Sequence, residues 1–173
     1  MKKFITLIAL TALIFTPALS HAASGQAVVG GLNWTYTSTY YLTWPFIQLS
    51  NVTGADIDIT IKIYDESGSI VTDGDDSTST GLFRNNFGGT VTNWDDNPTG
   101  ASMSFTLAAN SSVELRIAPS SSTIKHGYAI IEWDQDSSAA VGLVGIVRML
   151  INNYYNQNTN TVSDILINEG KPF

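Results

Sequence analysis

Ile57-Asp58-Ile59-Thr60-Ile61-Lys62-Ile63-Tyr64 decides the fold of this chain. Four isoleucines alternate with Asp, Thr, Lys and Tyr, a period of two. Side chains of an extended strand point by turns to opposite faces, so the pattern predicts a strand with one face in a core and the other in water. β-Branched residues suit that pleated surface. Asn51-Val52-Thr53-Gly54 before it and Asp65-Glu66-Ser67-Gly68 after it are turn formers and bound the strand.

Extended segments continue on both sides. Residues 26–41 are rich in Gly, Thr, Tyr and Trp without a helical period, and residues 40–49 read as a strand interrupted by Trp44-Pro45. Proline cannot donate to a ladder, which predicts an edge strand or one that begins near Pro45. A short strand is expected at 69–72. Residues 103–107 and 113–117 alternate about a turn at 108–112, as a hairpin or as a corner between sheets. Residues 120–123 are a link. The segments 127–133 and 140–150 are the most apolar and are expected to be central and buried on both faces, with a turn at 134–138 between them. A polar loop at 152–160 precedes a last strand at 162–167. Eight or nine short strands and no helix in residues 23–173 predict an all-β fold, a single antiparallel β-sandwich. An eight-stranded transmembrane barrel is the structural rival, but the strands are too short and uneven, and Pro172 breaks the terminal alternation.

The first 22 residues have a different character. Met1-Lys2-Lys3 is cationic, an apolar run follows from Phe4 to Phe15, and Ser20-His21-Ala22 places small residues where a leader is cut. This is the layout of a cleavable secretory signal peptide, and its apolar core of about a dozen residues is short of the ~20 that cross a bilayer. The expected product, residues 23–173, is secreted or periplasmic and not embedded in a membrane. The leader holds two of the eight basic residues and none of the fifteen acidic ones, so the net charge moves from −7 for the chain to −9 for the product. Such an acidic domain argues against nucleic acid and anionic surfaces as partners. With no cysteine, neither disulfides nor thiol-linked lipid are available, and the core alone must hold the fold.

Asn51-Val52-Thr53-Gly54-Ala55-Asp56, the isoleucine strand, and Phe105-Thr106-Leu107-Ala108-Ala109-Asn110-Ser111-Ser112-Val113-Glu114-Leu115 together resemble the repeating phrase of bacterial immunoglobulin-like domains. The resemblance spans roughly residues 45–150, interrupted by an insertion at 73–101. It implies an immunoglobulin-like sandwich, a fold that hosts adhesins, filament subunits, enzyme accessory modules and sugar-binding domains alike.

Catalytic equipment is sparse. Only His126 remains after the leader, at the start of a strand, and no G-x-S-x-G elbow, phosphate loop or dinucleotide glycine pattern is present. Zinc wants several His or Cys ligands. Glu132, beside Trp133 in an apolar strand, is the one carboxylate with a route to acid chemistry if it faces inward; on the solvated face it would pair with Arg116 or Arg148. Calcium is the cofactor the insertion suggests. Asp73, Asp75 and Asp76 stand at one end and Asp95 and Asp96 at the other, and two acidic clusters on one loop can converge on a hard cation. The twelve-residue calcium-loop pattern fails, because Arg84 occupies its last position, and Asp and Gly are also plain turn formers. Aromatic residues supply a binding surface of another kind. Trp34, Tyr36, Tyr40, Tyr41 and Trp44 crowd the start, whereas Trp94, Tyr154 and Tyr155 sit in loops where a flat ring can stack on a sugar or anchor a protein.

These features predict an exported non-catalytic domain for adhesion, matrix or filament assembly, with a protein partner or a second copy as ligand. The Gly30-Gly31 pair would let the first strand leave and complete a neighbour's sheet. The alternatives are a module recognising polysaccharide or calcium, and a secreted hydrolase using Glu132.

Overall fold

The computed structural model describes residues 23–37, 41–73, 81–88, 90–118, 123–135, 142–153 and 159–173. Residues 1–22, expected to be a leader, lie outside the described residues, as do Tyr40, Asp75, Asp76, Tyr154 and Tyr155.

The strands in chain order are β1 (Ala23–Tyr36), β2 (Tyr41–Asn51), β3 (Ile57–Asp65), β4 (Phe83–Gly88), β5 (Val91–Asp95), β6 (Met103–Leu107), β7 (Ser112–Ile117), β8 (Thr123–Gln135), β9 (Leu143–Asn153) and β10 (Thr159–Leu166). A 3-10 turn, Ile167–Gly170, follows. The described residues contain no α-helix, and none of their helices is long and apolar enough to cross a membrane. All strand pairs are antiparallel. The fold is all-β, as expected.

Its sheet has two limbs. Limb one runs β10-β9-β2-β7-β4 and limb two runs β1-β8-β3-β6-β5. They join where the end of β1 meets the start of β2, at Thr35–Thr43 and Tyr36–Leu42. The sheet is therefore continuous and curls into a half-barrel. The β6–β7 turn crosses from one limb to the other, so the corner expected at 108–112 is what forms.

One core serves both limbs. Ile57, Ile59, Ile61 and Ile63 of β3 are all at most 1% exposed, and they share a cluster with Ile47, Leu49, Leu115 and Val147 of limb one. Trp133 of β8 lies in the same cluster, in a slot between two glycines. A Cβ on Gly25 would stand 2.3 Å from its Nε1, and one on Gly142 would stand 2.8 Å from its six-membered ring. No side chain larger than hydrogen fits at either place.

Four expectations need correction. Pro45 does not mark an edge, for β2 is interior, paired with β9 along its whole length. On its other side Thr43 is the last residue paired with β1 and Phe46 the first paired with β7. Pro45 sits in that gap, where the ladder changes partner and a missing donor costs least. The 73–101 insertion is not simply a polar loop, because it supplies an edge strand to each limb, β4 on β7 and β5 on β6. Both carry register shifts, which hid their period. Central strands β8 and β9 are buried on one face only: Tyr128 is exposed, and Ile130, Ile146 and Leu150 are half-buried. The strand expected at 69–72 reduces to one bridge, Tyr64–Ile70.

Candidate functional site

Since the inner side chains of the described strands are mostly apolar and buried, most of the chemistry available to a ligand lies on the outer faces. Antiparallel register decides which side chains share a row there, because residues directly opposite project to the same side. In limb one, Asp164 of β10 faces Arg148 of β9, which faces Phe46 of β2, which faces Arg116 of β7, which faces Arg84 of β4. This single row holds all three arginines of the chain. Trp44, two residues from Phe46, carries the Arg116 guanidinium 5.1 Å from its ring centre. Rows beside it bring Ile146 and Leu150 next to Leu166 and Val162, which are 59% and 52% exposed.

In limb two the corresponding row is Ser24, Asp134, Asp58, Thr106 and Thr92 across β1, β8, β3, β6 and β5. Asp58 accepts a hydrogen bond from the Thr106 hydroxyl at 2.6 Å, and Thr106 accepts one from the Asn93 amide at 3.0 Å. Asp56 accepts from the Ala109 amide at 3.0 Å and Asp134 from the Gln135 amide at 2.8 Å. An open depression of about 420 Å³ is lined by these groups together with Ala55 and Gln135.

The calcium candidates are placed separately. Asp73 accepts hydrogen bonds from the Leu82 and Phe83 amides, the latter at 2.8 Å, and so ties the end of the insertion's first segment to the start of β4. Asp95 accepts from the Asn97 amide at 2.9 Å in a local turn, and Asp96 is fully buried. No group of three or more His, Cys, Asp or Glu among the described residues is placed to hold a metal ion.

Of the aromatic candidates, Trp94 stacks on Phe105 at 5.9 Å between ring centres and packs against the core. Trp34 is core. An aromatic pair that the sequence reading missed, Tyr64 and Tyr128, stacks at 4.9 Å on the outer face of limb two, because β3 and β8 set the two rings directly opposite. Glu132 lies on that outer face, held by Lys62 Nζ at 2.8 Å from each carboxylate oxygen. It thus pairs across strands as one reading expected, but with a lysine and not an arginine. His126 is exposed, and its backbone amide donates to Glu66 at 3.3 Å.

Four of the six cations among the described residues are held by carboxylates. Lys62 holds Glu132, Lys125 holds Asp65 and Glu66, Lys171 holds Glu169, and Arg148 holds Asp164. Ser67 and Lys125 together drive the Asp65 carboxyl well below its ordinary range. Arg84 and Arg116 are the two cations without a carboxylate partner among the described residues; Arg84 donates through Nε to the Gly81 carbonyl. Burial, and then the like charge of Arg84, pull the Arg116 guanidinium below its ordinary value. No protein-family model, curated protein or solved structure matches this chain.

Proposed function

We propose that residues 23–173 act outside the cytoplasm as a non-catalytic, immunoglobulin-like sandwich domain that works by contact, joining copies of itself into a surface, matrix or filament assembly. The observation that carries the reading is the outer face of limb one. There Trp44, Ile146 and Leu150 are half-buried, and Val162 and Leu166 are mostly in water, in the two rows that flank the Arg148–Asp164 row of one sheet. Apolar groups in water on both sides of a charged row suit a contact surface, since covering them removes apolar area from water at about 25 cal/mol per Å². The partner is a second copy because, among the described residues, Arg84 and Arg116 stand on this face without a carboxylate partner, whereas the outer face of limb two carries Asp58 and Asp134 without a cation. Copies with a net −9 repel one another at long range, so only an orientation that sets the arginine face against acid draws them together. Export is the expectation that the leader pattern at residues 1–22 supports.

Sedimentation velocity of residues 23–173 over a wide concentration range tests this. The sedimentation coefficient is expected to grow with concentration, and Leu166→Glu to weaken that growth. A strictly monomeric protein at every concentration overturns the reading. A second reading, polysaccharide recognition, draws on the limb-two depression, whose carboxylates, amides and hydroxyl match the hydrogen-bonding habits of sugar hydroxyls. Retention on polysaccharide resins that is lost in Asp58→Asn would favour it instead.

A further inference from the structure

Two like-charged pairs stand out on the outer faces. Arg84 and Arg116 are direct cross-strand partners, and so are Asp58 and Asp134. Like charges placed directly opposite on a sheet destabilise it, so each pair is a standing cost to the lone domain. Neither pair is neutralised by an opposite charge among the described residues, although the four other cations beyond the leader all are. The contrast is sharpest within a single row. Arg148 has Asp164 directly across from it, whereas Arg116 has Phe46 on one side and Arg84 on the other. Arg116 is also preorganised: its guanidinium rests over Trp44. A planar donor fork held on an indole is built to take a carboxylate.

We propose that the Arg84–Arg116 pair of one copy receives the Asp58–Asp134 pair of the next, limb-one outer face against limb-two outer face. The inference rests on the self-assembly reading and names its interface. Each like-charged pair then finds its counter-ions across the contact, and Leu166, Val162 and Ile146 lie on the same face to be covered. Because the two surfaces differ, the contact is head-to-tail: every copy keeps one free face of each kind, and growth continues as a filament unless the rotation closes a ring.

Charge reversal tests this. Arg84→Glu/Arg116→Glu makes both faces acidic, and Asp58→Lys/Asp134→Lys makes both basic. Each variant alone is expected to be monomeric by sedimentation where the parent assembles, with affinity lower by about tenfold or more, and the two mixed in equal amounts are expected to assemble. Thermal melts of each variant confirm that it is folded, and assembly of the parent should weaken as salt rises from about 0.05 to about 0.5 M. Reversed variants that assemble as well as the parent, or folded variants that stay monomeric when mixed, overturn the pairing and leave self-assembly standing. A parent that never assembles overturns self-assembly itself.

Discussion

On their inner sides the two limbs are alike in kind. Ile47, Leu49, Leu115 and Val147 of limb one meet Ile59, Ile61 and Ile131 of limb two in one cluster. On their outer sides they diverge. Limb one carries indole, aliphatic groups and three guanidinium groups; limb two carries hydroxyls, a stacked tyrosine pair and carboxylates. The difference teaches where the two demands on the sequence are met. Burial dictates the inner residues almost completely, so they resemble one another wherever they come from. The outer residues are free of that constraint, and what they share with their neighbours reflects what the surface meets.

The likeness inside is the easiest part to break. Ile61→Ala in limb two and Leu115→Ala in limb one should each cost about 2–5 kcal/mol in urea denaturation, because both side chains are buried to within 1%. One cooperative transition is expected in both variants; two separate transitions would show that the limbs do not share a core. Next comes the slot that ties the limbs at Trp133. Gly142→Ala puts a methyl group 2.8 Å from the indole ring and should cost about 1–3 kcal/mol, while Ser24→Ala on the outer face should stay within about 0.5 kcal/mol. Equal effects would mean that the indole moves aside freely.

Outer-face ion pairs should matter less. Glu132→Gln and Asp164→Asn each break a half-exposed pair, one per limb, and each should lower stability by about 0.2–1 kcal/mol in salt-dependent melts. A loss of several kcal/mol from either would show that the outer faces are structural after all. The smallest effect changes with pH only in acid. Asp65 has its folded pKa lowered below the ordinary 3.8, chiefly by Ser67 and then by Lys125. Its contribution is complete above that value and drains away as pH falls below it. Melting temperatures of the parent and of Asp65→Asn should therefore differ most near neutrality, and the gap should start to shrink as pH falls below about 4. A gap that widens on acidification would contradict the sign.

How much of this was legible beforehand depends on how local each feature is. The β3 strand could be read from eight residues, since a period of two needs no partner to be seen. The edge strands β4 and β5 could not. Each has a single neighbour and a register shift, at Asn85/Phe87 and Thr92/Asp95, so neither alternates for long. Pro45 misled because the rule against proline inside a sheet assumes one neighbour on each side, and β2 has two on one side. The arginine row was beyond reach: residues 84, 116 and 148 become neighbours only through the register of four strands that meet far from one another in the chain. Glu132 could be narrowed to two faces by alternation, but its partner Lys62 required the diagonal of the β3–β8 pairing.

The place of β1 and β2 in the sheet has a kinetic consequence. Apart from two residue pairs that they make with each other, their ladders are completed by β7, β8 and β9, all formed from residues beyond 111. The first strands of the chain thus wait for nearly the last ones, and contacts of such long sequence separation make folding slow. A growing chain cannot close its core piecemeal from its beginning. It stays open until residues near 150 exist, the condition a chain must meet if it is to be threaded through a membrane pore before it folds.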